Sequence, residues 1–256
     1  MESLSKLFDQ RSQIYNGVYD HNKFNMLLHQ EKFIRAKTTE DIIIELGPDA
    51  SDTITDIGCG MGNVLLNLRG RGIKSGMYGL DLSENMINIA NENLRVSGLS
   101  EICYQQGSLN AIEKKTDIAI SLGVVGYHED QEQLIAEIAG IVKEGGHLII
   151  STANGDSVLR YIRRTLSGVH SFVTRSVKSN GMKFHPITDK NVEDVFLRND
   201  IRIIRRIYMS FGLGLFSSKL ECAVDRLIFK HLSGHRLSRF FSLTVVYVGQ
   251  RTRKSE

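Results

Sequence analysis

The sequence has no tryptophan, two prolines and three cysteines among its 256 residues. Cys59, Cys103 and Cys222 are far apart and form no CxxC pair, so neither disulfide bonds nor a metal site is predicted. No apolar run approaches the roughly 20 residues of a membrane-spanning helix, and the first residues lack the apolar segment of a signal peptide. We therefore expect a cytoplasmic protein in a reducing compartment.

Charge is distributed unevenly along the chain. Residues 1–155 carry 13 Lys and Arg against 21 Asp and Glu, whereas residues 156–256 carry 19 against 8. A basic second half either meets an anionic partner or forms a solvated surface. The sequence leaves both interpretations open.

Short apolar runs alternate with helical patterns along most of the chain. The predicted strands cover residues 53–57, 76–80, 102–106, 117–122, 147–152, 201–209 and 241–249. The predicted helices cover residues 20–46, 63–68, 83–96, 131–142 and 188–198. Ser83 and Asp130 are suited to cap helix starts, and Gly98 and the Gly145–Gly146 pair are suited to helix ends. This alternation predicts an α/β fold with a parallel sheet and helices on both faces.

A glycine-rich stretch, Asp56-Ile-Gly-Cys-Gly-Met-Gly62, follows a predicted strand and precedes a helix. Glycines permit positive φ and let a ligand rest against the backbone at a helix N-terminus. A dinucleotide fingerprint would place a glycine at position 63, where this chain has Asn. Asp81 ends the next strand, where a carboxylate can accept hydrogen bonds from both ribose hydroxyls. Together these features predict a nucleoside site, although Asp81 alone could be a helix N-terminal charge.

These residues resemble motif I of the class I S-adenosylmethionine-dependent methyltransferases. Gly79–Met86 resembles the second motif of that family, and Asp117–Val125 and Val142–Leu148 are similar to its fourth strand and the loop before the fifth. The resemblance covers about residues 50–153, and residues 184–249 more loosely. It implies a Rossmann-like, doubly wound sheet of seven strands whose last strand is antiparallel.

The resemblance also implies how the chain is divided. We expect a single methyltransferase domain over residues 1–256, with an N-terminal helical lid at 1–46 and a cofactor-binding core at 50–153. Two stretches interrupt the alternation after residue 155, and we expect them to form a cap. These insertions are residues 156–183, which are polar and basic, and residues 210–238, which include an amphipathic helix.

Carried over onto this chain, the resemblance implies S-adenosyl-L-methionine as the cofactor and a small molecule as the methyl acceptor. The implied cofactor contacts are Asp56, Gly58, Gly60, Gly62, Asp81, Leu82, Met86, Ser108, Leu109, Ser121, Leu122, Tyr15 and Tyr19. Asp56 would lie near the ammonium group and Asp81 would hold the ribose. Ser108 stands where the family often has an acid that binds the adenine amine. In the alternative interpretation, Tyr15 and Tyr19 serve only in the packing of an amphipathic helix.

No nucleophile motif is present, and none is required for transfer from an activated sulfonium methyl. His128 and His185 are the candidate bases for removing a proton from the acceptor, because histidine titrates near neutral pH. Either histidine could instead be an ordinary surface or loop residue.

Three other functions are alternatives to methyl transfer to a small molecule. The glycine spacing and Asp56 argue against a nucleotide-dependent oxidoreductase. The lack of an Asn-Pro-Pro-Tyr-like motif and of a basic stretch interleaved with aromatic residues argues against a nucleic-acid substrate. A non-catalytic protein that only binds S-adenosylmethionine remains open.

Basic and apolar residues coincide in the second half of the chain. The arginines are Arg160, Arg163, Arg164, Arg202, Arg205 and Arg206, and the apolar run is Phe211–Phe216. This coincidence predicts an anionic or amphiphilic acceptor and peripheral contact with an anionic membrane. In the alternative interpretation the apolar run packs against the sheet and the arginines are merely solvated.

Overall fold

The computed structural model describes residue 9 and residues 27–162, 185–211, 218–232, 235 and 237–253. The strands are β1 (Thr53–Ile57), β2 (Gly76–Asp81), β3 (Ile102–Gln106), β4 (Thr116–Leu122), β5 (Val142–Ala153), β6 (Ile201–Met209) and β7 (Thr244–Arg251). The α-helices are α1 (Leu27–Leu46), α2 (Asn63–Gly70), α3 (Glu84–Ser97), α4 (Gln131–Gly140), α5 (Asp189–Arg198), α6 (Ser218–Leu232) and α7 (Ser238–Phe241).

The seven strands form one sheet in the order β3-β2-β1-β4-β5-β7-β6. Strands β1 to β5 are parallel, and β7 runs antiparallel to both β5 and β6. The predicted doubly wound sheet with an antiparallel last strand is therefore confirmed. The strand order reverses between β1 and β4, and ligands of open α/β sheets bind at the carboxyl ends of the strands beside such a reversal.

Alternating residues of the central strands supply two separate core layers. On β4, Ile118 and Ile120 pack in one layer with α1 and α2, while Ala119 packs in the other with α4 and α5. On β5, Ile149 lies in the first layer and Leu148 lies in the second. This division follows from the two-residue period of a strand, which points successive side chains to opposite faces. Burial on both faces explains why the middle parts of these strands, Ile118–Ile120 and Leu148–Ile150, are continuously apolar.

Side-chain caps fix where several helices begin. The Ser83 hydroxyl accepts from the N–H of Met86, and the Asp130 carboxylate accepts from the N–H of Gln133. Gly98 ends α3 in the left-handed conformation, with φ of 69°. The two predicted caps and the predicted stop at Gly98 are thus confirmed.

The predicted end of the helix before β5 is wrong. Helix α4 ends at Gly140, and Gly145 and Gly146 lie inside β5. The β4–β5 register shifts between Thr116 and Ile118, and a Cβ on Gly146 would lie only 2.6 Å from the carbonyl oxygen of Asp117. Glycine therefore allows an irregular strand pairing here and does not terminate the helix.

The proposed lid and cap are described only in part. Residues 10–26, with Tyr15 and Tyr19, lie outside the described residues, as do 163–184, with Arg163 and Arg164, and 212–217. Helix α6 packs against α1 and β6. Within the described ranges, no helix is both long enough and apolar enough to cross a membrane. The division into lid, core and cap remains a prediction.

Candidate functional site

Three glycines shape the loop between β1 and α2, at the carboxyl edge of the sheet. Gly58, Gly60 and Gly62 have φ of 73°, 53° and 77°, a region that other residues adopt only at a cost. The N–H groups of Gly58 and Cys59 donate to the carbonyl oxygen of Leu80 at 2.7 and 2.9 Å. These bonds fix the loop against the end of β2.

The three glycines differ in what surrounds them. A Cβ on Gly58 would overlap a methyl carbon of Val124, and one on Gly62 would lie 2.5 Å from the ring of Tyr104. No atom of the described residues lies within 4 Å of a Cβ placed on Gly60. Gly58 and Gly62 are therefore glycine because protein packs against them, whereas Gly60 faces space that a ligand can fill.

Tyr104 supports the glycine loop, and the sequence reasoning missed it. Its hydroxyl donates to the carbonyl oxygen of Gly62 at 2.7 Å, and its side chain is buried. Gly79 is its register partner on β2, and a Cβ there would lie 2.6 Å from the ring. An aromatic residue opposite a glycine on a neighbouring strand is a recognisable cross-strand pair. The pairing depends on the β2–β3 register, so the sequence alone holds no sufficient signal for Tyr104.

Asp81 connects the end of β2 to the glycine loop. One carboxylate oxygen accepts from the N–H of Gly60, and the other accepts from the N–H of Ser83, both at 2.9 Å. Burial raises the pKa of Asp81, although these backbone hydrogen bonds act in the opposite direction. Asp81 thus holds the open part of the loop in place and presents a partly buried carboxylate beside it.

Asp56 is the most deeply buried acid of the site. Asp56 is 3% exposed, and no hydrogen bond to its carboxylate is found among the described residues. Burial, and then the charge of Asp81, raise the pKa of Asp56 to about 7. A buried carboxylate without a partner is unfavourable, and a cation placed beside it would favour its charged form.

The residues predicted to contact adenine lie at the ends of β2 and β3. Leu82 and Leu109 are half-buried, and Met86 is buried on the first turn of α3. Ser108 is half-buried and precedes a short 3-10 helix at Leu109–Ala111. Its hydroxyl makes no capping bond there. These placements bring the four side chains to one edge of the sheet, and their contact with adenine stays a prediction.

Ser121 and Leu122, predicted to face the transferred methyl, end β4. The Ser121 hydroxyl is buried and donates to the carbonyl oxygen of Ile57 at 3.1 Å. That bond ties the ends of β4 and β1 together beside the strand-order reversal. Leu122 is half-buried at the same edge.

Asp9 contacts the start of α3, which the sequence reasoning also missed. The Ser83 hydroxyl donates to the Asp9 carboxylate, and the N–H of Asn85 donates to the same oxygen at 3.3 Å. An acid accepting bonds at the first turn of a helix is favoured by the helix dipole. Asp9, from the N-terminal part of the chain, is therefore hydrogen-bonded to Ser83, which follows Asp81 by two residues.

The two candidate bases lie on adjacent segments. His128 follows β4, and its Nδ1 is 2.9 Å from the carbonyl oxygen of Asp130. The N–H of His185 donates to the carbonyl oxygen of Gly126 at 2.8 Å. Both histidines are half-buried. The fold therefore brings residues 57 positions apart in sequence to the same edge of the sheet.

The sheet order, the antiparallel last strand and the glycine loop with its strand-end acids define a class I methyltransferase fold. A family model described as a methyltransferase domain matches residues 48–197, more than half of the chain. The chain belongs to this methyltransferase domain family. The resemblance inferred from the two motifs is confirmed.

Curated relatives and a solved structure agree with this assignment. The chain is 30% identical to a demethylmenaquinone methyltransferase of Lactococcus lactis subsp. lactis over 156 residues, covering 58% of this chain and 60% of the relative. It is 26% identical to a ubiquinone biosynthesis O-methyltransferase of Nitrosomonas europaea over 147 residues, covering 56% of this chain and 60% of the relative. The matches thus span about 60% of the length of these relatives.

The fold also matches that of a magnesium protoporphyrin IX methyltransferase from Synechocystis PCC 6803, solved with bound SAH. The TM-score is 0.73, and the alignment covers 98% of this chain and 99% of that chain. Sequence identity is 16%, so this likeness concerns the fold alone.

Proposed function

We propose that the chain binds S-adenosylmethionine at the glycine loop and transfers its methyl group to a small-molecule acceptor. The observation that carries this proposal is a pair of acids at the ends of the neighbouring strands β1 and β2: Asp56 is buried, and the partly buried Asp81 accepts from the N–H of Gly60, the glycine that faces open space. The family assignment supports it, since the match at residues 48–197 includes all three.

The residues present fit this cofactor. Asp56, buried and without a hydrogen bond among the described residues, would hold the ammonium group. Asp81 would hold the ribose hydroxyls while it keeps its bond to the N–H of Gly60. Gly60 would lie against the methionine part, where a side chain would fill the space. Leu82 and Met86 would pack against the adenine.

Transfer places few chemical demands on the protein. S-adenosylmethionine supplies a methyl group on a sulfonium, which is already electrophilic. The chain's task is to align the acceptor in line with that methyl, to exclude water and, for some acceptors, to remove a proton. We assign alignment to the ends of β1 and β4, which the Ser121–Ile57 hydrogen bond fixes relative to each other.

The acceptor is proposed to be a small molecule that is anionic or amphiphilic. The relatives named above are methyltransferases of demethylmenaquinone and of ubiquinone biosynthesis, and the structural neighbour is one of magnesium protoporphyrin IX. A chain that only binds the cofactor is the other candidate, and it would show affinity for S-adenosylmethionine without transfer to any acceptor.

Asp81→Ala is expected to weaken S-adenosylmethionine binding by roughly 1–3 kcal/mol, the range of charge-assisted hydrogen bonds. Calorimetry on wild type and variant measures the difference. Glu84→Ala removes an exposed acid three positions away and should leave affinity unchanged. Equal affinity of the Asp81 variant would remove Asp81 from the site, whereas absence of binding by the wild type would overturn the proposed function.

We further propose that His128 or His185 removes a proton from an oxygen acceptor. Replacing the histidine that acts as base by Ala should lower turnover by roughly 10²–10⁴-fold. Transfer of labelled methyl to an identified acceptor measures this. His231→Ala, which removes an exposed histidine on α6, is the control. Full turnover in both variants across neutral pH would mean that positioning alone suffices.

Contact with an anionic membrane is proposed for the surface formed by α7 and β6. Phe240 and Phe241 are 43% and 54% exposed, and Ile204 on β6 is 48% exposed. Phe240 and Ile204 line a cleft whose charged residues are Lys190, Arg205, Arg206 and Arg239 on the basic side and Asp189 and Glu193 on the acidic side. Apolar side chains with basic neighbours suit an anionic lipid surface.

Two residues in the sequence-based membrane prediction have other roles. Phe211 is 7% exposed, and Arg160 donates to the carbonyl oxygens of Asn154 and Leu243. Both are therefore part of the packed structure. Arg205 and Arg206 are paired with Glu45 and Glu193, and Arg239 is paired with Asp156 and Asp189. These ion pairs reduce the attraction of the three arginines for anions.

Phe240→Ser/Phe241→Ser is expected to reduce co-sedimentation with phosphatidylglycerol vesicles at least severalfold. Wild type should bind these vesicles at low salt, leave them at high salt, and not bind phosphatidylcholine vesicles. Val96→Ser, at a 70% exposed position on α3, is the matched control. Wild-type protein that stays in solution with phosphatidylglycerol at low salt would end the membrane proposal.

A further inference from the structure

Arg35, on α1, lies with its guanidinium directly over Gly123, the residue that follows β4. A Cβ on Gly123 would lie 2.8 Å from Nη2 and 3.3 Å from Cζ and Nη1. Gly123 has φ of 72°, and its N–H donates to the Ser151 hydroxyl at 2.8 Å. Glycine is therefore needed here for the guanidinium to approach the backbone so closely.

The guanidinium is held from one side only. Nη1 donates to Oε1 of Glu31 at 3.2 Å, and the same oxygen accepts from the Thr244 hydroxyl at 2.9 Å. The Arg35 side chain is 13% exposed, and its Nε is buried with no hydrogen-bond partner. Arginine offers five N–H donors. Among the described residues, nothing accepts from Nε or Nη2, so one edge of the guanidinium is unused.

Arg69 shows what a structural arginine looks like in the same protein. Its side chain is 9% exposed. Its Nη1 donates to the carbonyl oxygen of Ile73, and its Nη2 donates to those of Ser75 and Glu101. Both terminal nitrogens of Arg69 thus brace loops of the fold. The Nε of Arg69 is buried without a hydrogen-bond partner, as is the Nε of Arg35, so the two arginines differ at Nη2: that of Arg69 donates to two backbone carbonyls, whereas that of Arg35 has no acceptor among the described residues.

The unused edge lies beside the proposed transfer site. Gly123 follows Leu122 at the carboxyl end of β4, next to the strand-order reversal between β1 and β4. His128 follows a few residues later on the same connection. Ligands of open α/β sheets occupy this edge. An acceptor aligned with a methyl group held at the glycine loop would come close to Arg35.

We propose that Arg35 binds an oxyanion of the methyl acceptor, a carboxylate or a phosphate, through Nε and Nη2. Glu31 and Thr244 fix the guanidinium from the opposite side. A planar guanidinium with two free parallel donors matches such groups in a bidentate manner, which a lysine cannot reproduce. This inference rests on the proposed function and adds the chemical class of its substrate.

Calorimetry on protein saturated with S-adenosylhomocysteine tests the proposal. The probes are acetate, benzoate, 2-naphthoate and decanoate, each compared with its primary amide, and phenyl phosphate compared with phenol. We expect at least one oxyanion to bind roughly tenfold or more tightly than its neutral counterpart, the scale of a charge-assisted hydrogen bond. The carboxylate and phosphate arms distinguish the two anions. Arg35→Gln should remove this preference, and Arg35→Lys should retain only part of it.

Two further variants separate recognition from folding. Arg35→Gln leaves Glu31 without its ion pair, so Glu31→Gln/Arg35→Gln removes both charges together. Arg71→Gln removes an arginine that pairs with Asp41 on the outside of α1 and should keep the oxyanion preference.

S-adenosylhomocysteine affinity is measured for every variant. If the wild type does not bind S-adenosylhomocysteine, that result counts against the proposed function. The Arg35 proposal is overturned by normal cofactor affinity without any oxyanion preference, or by a preference that survives in the double variant. Loss of cofactor binding in every Arg35 variant would make Arg35 a structural residue and would also overturn it.

Discussion

Asp56→Asn is expected to raise the free energy of unfolding of the ligand-free protein above pH 7 by about 2–4 kcal/mol. Burial, and then the charge of Asp81, raise the pKa of Asp56 from 3.8 to about 7. Each unit of pKa difference between folded and unfolded states corresponds to about 1.4 kcal/mol. Wild-type stability is therefore complete below pH 3.8, falls as pH rises to about 7, and is then constant. Asparagine keeps the shape and avoids this loss.

Urea unfolding at pH 5, 6, 7 and 8 measures the effect. The stability difference between Asp56→Asn and wild type should grow from pH 5 to 7 and then level off. Asp117→Asn is a control of opposite sign. Burial disfavours the charge of Asp117, but hydrogen bonds from Lys143 and Thr53 outweigh it and hold the pKa of Asp117 below its usual value. That variant should be less stable than wild type at pH 7, and a pH-independent difference for Asp56→Asn would contradict the prediction.

The same substitution should weaken S-adenosylmethionine binding by roughly 10- to 100-fold, since a neutral amide cannot pair with an ammonium group. Stability and binding would then change in opposite directions at one position, as expected where a site holds an unfavourable buried group for its ligand. An Asp56→Asn protein that is more stable and binds as tightly as wild type would place the ammonium group elsewhere.

The strands were predictable from short runs of apolar and β-branched residues, although only the central strands are buried on both faces, and β3 and β6 at the sheet edges carry exposed residues. Thr53–Ile57, Ile102–Gln106 and Ile201–Met209 have the predicted boundaries. The start of β5 was not predictable in this way. Val142 and its neighbours continue the apolar pattern of α4, and a glycine pair reads equally well as a helix stop or as a strand irregularity.

The backbone part of the site could be read from the sequence, but its side-chain partners could not. The glycine loop and Asp81 are local patterns at strand ends, and the strand alternation places them at one edge. Tyr104 contacts Gly62, which lies 42 residues away in sequence, and Arg35 contacts Gly123, which lies 88 residues away. Such contacts depend on register and helix packing, which periodicity does not specify.

The sequence suggested the two histidines by their chemical type but did not predict that they lie near each other. His128 and His185 are ordinary loop residues by local pattern, and hydrogen bonds from the N–H of His185 to Gly126 and from the Gln131 amide to the carbonyl oxygen of His185 show that their segments are adjacent. Chemical type suggested them, whereas the fold supplies the proximity. Their placement therefore does not establish a role as bases, and kinetic measurements on the two variants test that role.

Gly62→Ala is expected to lower the free energy of unfolding by about 2–5 kcal/mol and to weaken cofactor binding. Two costs add. A left-handed backbone costs a residue with a Cβ roughly 1–2 kcal/mol, and Gly62 has φ of 77°. Overpacking costs about 1–3 kcal/mol, and the new Cβ would lie 2.5–2.7 Å from the Tyr104 ring. Gly72→Ala, at φ of 89° with no described atom within 4 Å, should show the first cost alone.

A double-mutant cycle isolates the contribution of the ring. In a Tyr104→Ala background the clash is absent, so Gly62→Ala should cost only about 1–2 kcal/mol, the backbone part. The coupling between the two positions is then about 1–3 kcal/mol, within the range for residues in contact. Denaturant unfolding of the four proteins gives this value, and calorimetry with S-adenosylhomocysteine shows whether displacement of the loop reaches the binding face of Gly60. If Gly62→Ala lowers the free energy of unfolding equally in both backgrounds, then the positive φ alone requires glycine at this position. The Tyr104 ring would then contribute nothing to that requirement.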